Sequence, residues 1–338
     1  MHARVRREDD RIWVDGVHGW FVGDRESSVH AAQAAIMEAL GEDISYTYLL
    51  GVSALAFRMQ VSMDGLCPSS PHSFCGYPCH ARSTQALPWA VRVLEIDADD
   101  RQGVQLARAS VVASIDRGIP VQYGSEEDGV IFGYQKDGQE WLCYHPMHHR
   151  GTKRFVETTW PWGIALYTER KQDQTDGREL AVGALAQAID MAHAERAEAY
   201  HVGFAAWTAY LSRLNALQQA GERAQHADAL GNSWIYECLV QYRSAAASYL
   251  RDMAPSFEGR AAGHLLTAAE LYDRMSSQVL RDAEHCPATI APLPWSLQEG
   301  QTWSNAMRDA QIERLEGAFP LEREAIEELS LALASLPD

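Results

Sequence analysis

The sequence predicts an α+β protein with two domains, of which the first combines helices with an antiparallel sheet and the second contains helices only. Up to residue 168, short runs of β-branched and aromatic residues alternate with helical patterns. A KDG turn at 136–138 joins two of these runs as antiparallel neighbours. From residue 178 onward only helical patterns remain. We therefore predict domains at 1–168 and 178–338, joined by a polar linker at 169–177.

The clearest element of the first domain is a helix at SSVHAAQAAIMEALG, residues 27–41. Ser27 or Ser28 can cap its N-terminus, and Gly41 is placed to end it. A second helix is predicted at residues 101–117, just before a glycine. Five strands are predicted around these helices, with the sequences VRVLEI, IPVQY, GVIFGY, EWLCY and WGIALYTE.

The second domain is predicted to be a helical bundle. Its helical stretches cover residues 179–220, 230–253, 258–284 and 299–335. We expect the first stretch to break near Gly203 and the last near Pro320, because glycine and proline interrupt helices.

Charge and hydropathy exclude two classes of partner. The 338 residues include 29 basic and 46 acidic side chains, a formal net charge of −17. Such a surface repels phosphate backbones, so we predict no nucleic-acid partner. The most apolar windows, such as GVSALAFRMQV, are much shorter than a bilayer span, and the N-terminus lacks the apolar segment of a secretory signal. We therefore expect a cytoplasmic protein without a membrane partner.

Cysteine content and motifs narrow the chemistry further. Six cysteines in a chain of this length do not make a disulfide scaffold, so reduced thiols are expected. The sequence has no glycine-rich phosphate-binding motif, and we predict no cofactor. It leaves open whether identical subunits form a homo-oligomer.

The order of motifs in the first domain carries a resemblance to a known family. The relevant segments are ESSVHAAQAAIMEALGEDISYTYLLGVSALAFRMQ, then GIPVQY, DGVIFGYQKDG and CYHP. Together they resemble a papain-like fold, and more narrowly the butirosin biosynthesis protein H N-terminal-domain family and the related bacteriocin-processing peptidases. The resemblance implies a nucleophile at the start of the first long helix, further catalytic groups on later antiparallel strands, and a helical C-terminal domain.

The catalytic positions implied by this resemblance hold different residues here. Ser28, with Ser27 beside it, occupies the position of the nucleophilic cysteine. Glu127, followed by Asp128, occupies the histidine position, and His145 replaces the aspartate before a proline. Either carboxylate could act as a base if burial raised its pKa, and His145 could supply an imidazole in a rearranged site. The alternatives are a helix cap for Ser28, a solvated strand entrance for the carboxylates, and a hydrogen-bonded structural imidazole for His145.

A second candidate site is the segment CPSSPHSFCGYPCH, residues 67–80. Zinc could be bound by Cys67, Cys75, Cys79 and His80, although their spacing is not that of a standard zinc motif. The alternative is a loop stiffened by three prolines. In that case His72, Cys75 or Cys79 could contact a ligand, or one of the thiols could replace the missing nucleophile.

Three functions remain open from the sequence. The preferred hypothesis is a catalytically altered papain-like protein that binds a small molecule or peptide in the cleft between its domains. The resemblance also implies an acyltransferase, or an amide or thioester hydrolase, with a carrier protein as partner. The third hypothesis is a zinc-binding module. Whether the protein is an enzyme is left undecided at this point.

Overall fold

The computed structural model describes residues 5–95, 97–220, 226–281, 291–297 and 303–336, and it has the predicted α+β class. In chain order, the helices and strands are β1 (Val5–Glu8), β2 (Arg11–Val14), α1 (Ser28–Leu40), α2 (Tyr46–Val52), β3 (Gln60–Ser62), α3 (His80–Ala86), β4 (Trp89–Leu94), α4 (Arg101–Asp116), β5 (Val121–Gly124), β6 (Asp128–Gln135), β7 (Glu140–Tyr144), β8 (Phe155–Glu157), β9 (Gly163–Arg170), α5 (Gly177–His193), β10 (Arg196–Ala197), β11 (Tyr200–Val202), α6 (Gly203–Ala220), α7 (His226–Met253), α8 (Gly259–Arg274) and α9 (Asn305–Ala334). Every helix in the described ranges is too short or too polar to cross a bilayer.

The chain forms two compact units. The sheet unit comprises Met1–Leu49 and Thr84–Gln174, and the helical unit comprises Leu50–Ser83 and Thr175–Asp338. The final crossing between them, at residues 174–175, lies inside the predicted linker. Residues 50–83, which the predicted boundaries assign to the first domain, group instead with the later helices.

The sheet unit contains an antiparallel sheet of eight strands, as predicted in its type. β6 is its centre, since it pairs with β5 and β2 at different points along its length and also with β7. The KDG turn joins β6 to β7 as expected, with positive φ at all three of its residues. The strands β1, β2 and β8 were not predicted, because three or four residues are too few to show the alternating pattern of a strand.

Helix α1 is the buried helix of this unit and contacts β5 and β6. Ten consecutive residues, from Ser28 to Met37, are buried, among them polar side chains that a core helix normally excludes. Gly41 ends the helix in the left-handed conformation at φ 76°, and its amide donates to the carbonyl of Glu38 at 3.0 Å. The predicted helix bounds are therefore confirmed to within one residue, and the polar residues at its start are held inside the unit.

The helical unit departs from the prediction of a domain made only of helices. β10 and β11 form a three-stranded antiparallel sheet with β3, which comes from residues 50–83. The expected break near Gly203 is present, because α5 ends at His193 and α6 begins at Gly203 with φ +59°. β10 and β11 were missed because two and three residues are too few to show a strand pattern inside the helical stretch predicted at 179–220.

The expected break near Pro320 was wrong, since α9 runs unbroken from Asn305 to Ala334. Proline removes one helical hydrogen bond, but the apolar residues on either side, Ala318 and Leu321, are buried and hold the helix against its neighbours. Helix α8 continues after Arg274 as a π-helical turn, Met275–Val279. The ends predicted at 282–284 and 299–302 lie outside the described residues.

Two buried polar networks fix the packing of the helical unit. Arg243 of α7 forms an ion pair with Glu322 of α9 at 2.7 Å and donates to the carbonyl of Ala56 at 2.8 Å. Tyr210, Asn232 and Gln311 form a closed hydrogen-bonded trio that joins α6, α7 and α9. Because these groups are buried and paired, they hold the helices in one arrangement.

Candidate functional site

Ser28, the first residue of α1, is hydrogen-bonded to the predicted base. Its hydroxyl donates to Oε2 of Glu127 at 2.5 Å and accepts from the backbone N–H of Asp128 at 3.0 Å. The helix-cap alternative was wrong for Ser28, because its hydroxyl points at the start of β6 rather than at an amide of α1. The residues at two of the three altered catalytic positions are thus in direct contact.

Burial raises the pKa of Glu127 toward neutral pH, where a general base works best. Desolvation raises its pKa from 4.5 to about 7, and the nearby charges of Asp128 and Glu126 add to this, while the Ser28 hydroxyl opposes it. Near neutral pH the carboxyl is therefore present in both protonation states. A group with that pKa can take up and return a proton with little cost.

Asp128 meets Ser28 through its backbone N–H, and its side chain is hydrogen-bonded to a different residue. Burial raises the pKa of its carboxyl to about 6. The side chain accepts a hydrogen bond from Nε2 of Gln122 at 2.8 Å, and Oε1 of Gln122 accepts from the Tyr167 hydroxyl at 3.0 Å. The predicted solvated strand entrance was wrong, since Asp128 is buried and Glu127 is mostly so.

His145 lies beside Glu127, but neither ring nitrogen faces Ser28. Nδ1 accepts from the backbone N–H of Met147 at 3.2 Å, which places the ring proton on Nε2. Nε2 donates to the backbone carbonyl of Glu127 at 2.9 Å and lies 3.0 Å from the Ser125 hydroxyl. Burial lowers the pKa of His145, so the ring is neutral near pH 7. His145 is therefore the hydrogen-bonded structural imidazole of the alternative interpretation, and it positions Glu127.

Sequence reasoning missed a second pair at the same helix start. Ser27 occupies the N-cap position, yet its hydroxyl makes no capping bond and instead lies 2.7 Å from Nδ1 of His30. Its backbone N–H donates to the Tyr46 hydroxyl at 3.0 Å. His30 is completely buried. The i,i+3 spacing of Ser27 and His30 on a helix was the signal that could have found this pair.

We refer to Ser27, Ser28, His30 and Glu127 as the serine cluster. It lies at the N-terminal end of α1, where the helix dipole and the backbone amides of the first turn are positive. Both serine hydroxyls meet side chains, those of His30 and Glu127, rather than the backbone amides of the first helical turn. The arrangement can therefore remove a proton from a hydroxyl next to a region that favours negative charge.

The segment 67–80 is organised around one buried guanidinium, and we refer to it with Arg58 as the Arg58 loop. Arg58 donates to five backbone carbonyl groups of this segment, at distances between 2.7 and 3.4 Å, those of Ser70, Pro71, His72, Cys75 and Tyr77. Gln60 adds bonds to the carbonyls of Ser70 and Cys75, each at 2.9 Å. The loop is therefore a structural shell around a cation.

The zinc hypothesis finds no ligand group in this loop. In the described part of the chain, no three His, Cys, Asp or Glu side chains converge where they could hold a metal ion. The thiol of Cys79 is buried and donates to the carbonyl of Tyr77 at 3.6 Å. Cys67 and Cys75 are half-buried. The positive charge of Arg58 at the centre of the loop would also oppose a second cation.

Burial makes Cys79 a poor nucleophile and His72 and His80 poor bases. Burial raises the pKa of the Cys79 thiol, which disfavours the reactive thiolate. Burial lowers the pKa of His72 to about 4, with the charge of Arg58 adding to the effect, and burial also lowers that of His80. The loop lies in the helical unit and Ser28 in the sheet unit. A thiol from this loop as replacement for the missing nucleophile stays a prediction.

No family model and no curated protein sequence matches this chain. The resemblance to the butirosin biosynthesis protein H family therefore stays a prediction.

Proposed function

We propose that the sheet unit is a papain-like module that transfers or hydrolyses acyl groups, with Ser28 as the nucleophile and Glu127 as the base. The observation that carries the proposal is the 2.5 Å hydrogen bond between the Ser28 hydroxyl and a carboxylate whose pKa burial raises to about 7. Support for the papain-like fold is the order of the parts: a residue opening a buried helix, then groups on later antiparallel strands.

The reaction follows from the positions of these groups. Ionised Glu127 accepts the hydroxyl proton as Oγ of Ser28 bonds to the carbonyl carbon of an amide or thioester. Protonated Glu127 then gives that proton to the leaving nitrogen or sulfur as its bond to carbon breaks, which leaves an acyl ester on Ser28. Water or an acceptor amine loses its proton to Glu127 as it bonds to the carbonyl carbon of this ester. The bond between that carbon and Oγ of Ser28 then breaks, and Glu127 returns the proton to Oγ, which restores the serine hydroxyl and releases the acid or amide.

Two neighbouring groups assist this reaction without exchanging protons. The backbone N–H of Asp128 donates to Oγ of Ser28 and so stabilises negative charge that develops on this oxygen. His145 holds the carbonyl of Glu127 and thereby fixes the residue that carries the base. His145 is a positioning residue in this proposal.

The experiment that tests the proposal is covalent labelling with a serine-directed fluorophosphonate, read by peptide mass spectrometry. We expect modification of Ser28, its loss in Ser28→Ala, and retention of labelling at Ser28 in Ser27→Ala. Glu127→Gln should slow labelling by roughly 10²- to 10⁴-fold, because the general base is lost. Wild-type protein that remains unlabelled at Ser28 would contradict the proposal.

The pH dependence gives an independent check. Only the ionised form of Glu127 can accept the proton, so the labelling rate should rise with pH and level off above about 7. If His145 were the base instead, the variant His145→Gln would lose the rise of the labelling rate with pH.

A second candidate is the binding of a small molecule or peptide by a module that has lost catalysis, the hypothesis preferred from sequence. It is favoured by one observation: Ser28 is only 2% exposed, and its hydroxyl both donates and accepts within the protein. Under this candidate the serine cluster is a structural network. Failure of the probe to label Ser28 would leave this candidate in place of the first.

A further inference from the structure

An open surface cavity of about 390 Å³ lies on the helical unit, between the end of α5, the start of α6 and the middle of α9. Its volume falls within the range of small-molecule sites, roughly 300–1,000 Å³. The side chains that give it chemical character are His193, Glu195, Phe204, Thr208, Phe319 and Arg323. None of them belongs to the serine cluster or to the Arg58 loop.

Aromatic rings form one wall of this cavity. Phe204 and Phe319 lie with ring centroids 6.1 Å apart. The ring of Phe319 stacks on the buried ring of Trp207, with centroids 5.6 Å apart and nearly parallel planes, and this contact holds Phe319 in place. The ring of His193 meets that of Phe204 edge-on, with centroids 5.2 Å apart. Both phenylalanines are half-buried and so keep part of their surface accessible to a ligand. A flat apolar group is the ligand part that such a wall accepts.

Two opposite charges line the same cavity without neutralising each other. Arg323 lies over the ring of Phe204, its guanidinium carbon 5.8 Å from the centroid. Glu195 follows the end of α5. Within the described residues neither side chain forms an ion pair, and both are exposed. The cavity therefore offers a guanidinium that can bind a carboxylate, a carboxylate that can bind an ammonium group, and an aromatic wall.

We propose that this cavity binds a free aromatic α-amino acid. The ring would contact Phe204 and Phe319, the carboxylate would accept hydrogen bonds from the guanidinium of Arg323, and the ammonium group would donate to Glu195. A zwitterion with a flat side chain is the small ligand that uses all three features at once. The site is independent of acyl transfer at Ser28.

Isothermal titration calorimetry of the full chain with matched ligands tests this inference. The probes are L-phenylalanine, 3-phenylpropanoate without the amine, phenethylamine without the carboxylate, and L-alanine without the ring. We expect L-phenylalanine to bind with a dissociation constant roughly in the millimolar range or below, and L-alanine at least tenfold more weakly.

Substitutions of the two charged residues assign the contacts. Arg323→Gln should weaken L-phenylalanine and 3-phenylpropanoate about tenfold and leave phenethylamine unchanged, because only carboxylates lose a partner. Glu195→Gln should weaken L-phenylalanine and phenethylamine but not 3-phenylpropanoate. Arg274→Gln and Glu270→Gln are matched controls on exposed positions of α8 and should change nothing.

Three results would overturn the inference. These are no saturable binding of L-phenylalanine, equal binding of L-alanine, and L-phenylalanine affinity unchanged in both Arg323→Gln and Glu195→Gln. Because both residues are exposed, the variants are expected to fold, and circular dichroism of each confirms that a lost affinity is not lost structure.

Discussion

The serine cluster and the Arg58 loop are both built from buried polar side chains, but they use them in opposite ways. In the serine cluster, the hydroxyls meet the side chains of His30 and Glu127, and burial raises the pKa of Glu127 to about 7. In the Arg58 loop, one guanidinium points at backbone carbonyls, which do not titrate. The loop is richer in residues known for catalysis and metal binding, yet its partners make it structural. The chemistry of a side chain is therefore decided by what it faces.

This difference predicts how each region responds to substitution and to pH. One guanidinium donates to five carbonyl groups, so the Arg58 loop should be sensitive to the loss of this cation. Burial lowers the pKa of His72 to about 4, so this loop should gain stability as pH rises from about 4 to about 6.5. The serine cluster contains a carboxyl with a raised pKa and should respond to pH.

The largest expected effect is that of Arg58→Met. This substitution keeps the aliphatic part of the side chain and removes the donors to five buried or half-buried carbonyls. We expect a loss of about 3 kcal/mol or more in the free energy of unfolding, because five charge-assisted hydrogen bonds to these carbonyls are lost together. Urea unfolding measures this, with the exposed Arg274→Met as the matched control. A change below about 1 kcal/mol would break the comparison, since the loop would then not depend on its cation.

The next effect concerns the pH dependence of stability in the sheet unit. The folded pKa of Glu127 is raised from 4.5 to about 7, so the folded state binds more protons than the unfolded state between these values. The contribution of Glu127 to the free energy of unfolding should therefore fall as pH rises from about 4.5 to about 7. Over this interval the loss approaches about 3 kcal/mol at 1.36 kcal/mol per pKa unit.

Glu127→Gln isolates this contribution, because the amide has no proton to lose and can still accept from Ser28. Urea unfolding at several pH values should show a flatter curve for the variant and higher stability than wild type above pH 7. Asp128, whose pKa is raised to about 6, leaves a smaller slope in both proteins. Parallel curves for the two proteins would mean that Glu127 is not desolvated as described.

The fold was predictable where local pattern and burial agree. Helix α1 has a small-residue apolar pattern and a terminal Gly41, and its bounds were found to within one residue. β6 and β7 were found because KDG is a strong turn signal. Residues 50–83 could not be assigned to the helical unit, because their pairing of β3 with β11 joins segments about 140 residues apart in the chain.

The candidate site was predictable in its positions but not in its roles. Ser28, Glu127 and His145 do lie together, yet only the structure gives the directions of their hydrogen bonds. From the sequence, His145 could supply an imidazole base. In the structure its Nδ1 accepts from the backbone N–H of Met147, so this nitrogen is occupied. His30 was passed over because a histidine within an apolar helix resembles ordinary core. Hydrogen-bond direction depends on tertiary neighbours, which periodicity does not encode.

A moderate effect is expected for His145→Gln. The glutamine amide can still donate to the Glu127 carbonyl, but it cannot reproduce both bonds of the ring, so we expect a loss of about 1–2 kcal/mol in stability. The midpoint of the labelling rate against pH should stay near 7, because Glu127 and not His145 titrates. A shift of that midpoint by a full pH unit would show that the imidazole exchanges the proton.

The smallest effect, that of Ser27→Ala, separates the two serines of the cluster. The substitution removes the hydroxyl beside His30 but retains the backbone N–H that donates to Tyr46. We expect a loss of about 1 kcal/mol in the free energy of unfolding, as for one buried hydrogen bond, with labelling of Ser28 unchanged. Ser28→Ala should instead abolish labelling. If Ser27→Ala were the variant that lost labelling, the nucleophile would be the serine paired with His30, and the serine cluster would work through an imidazole after all.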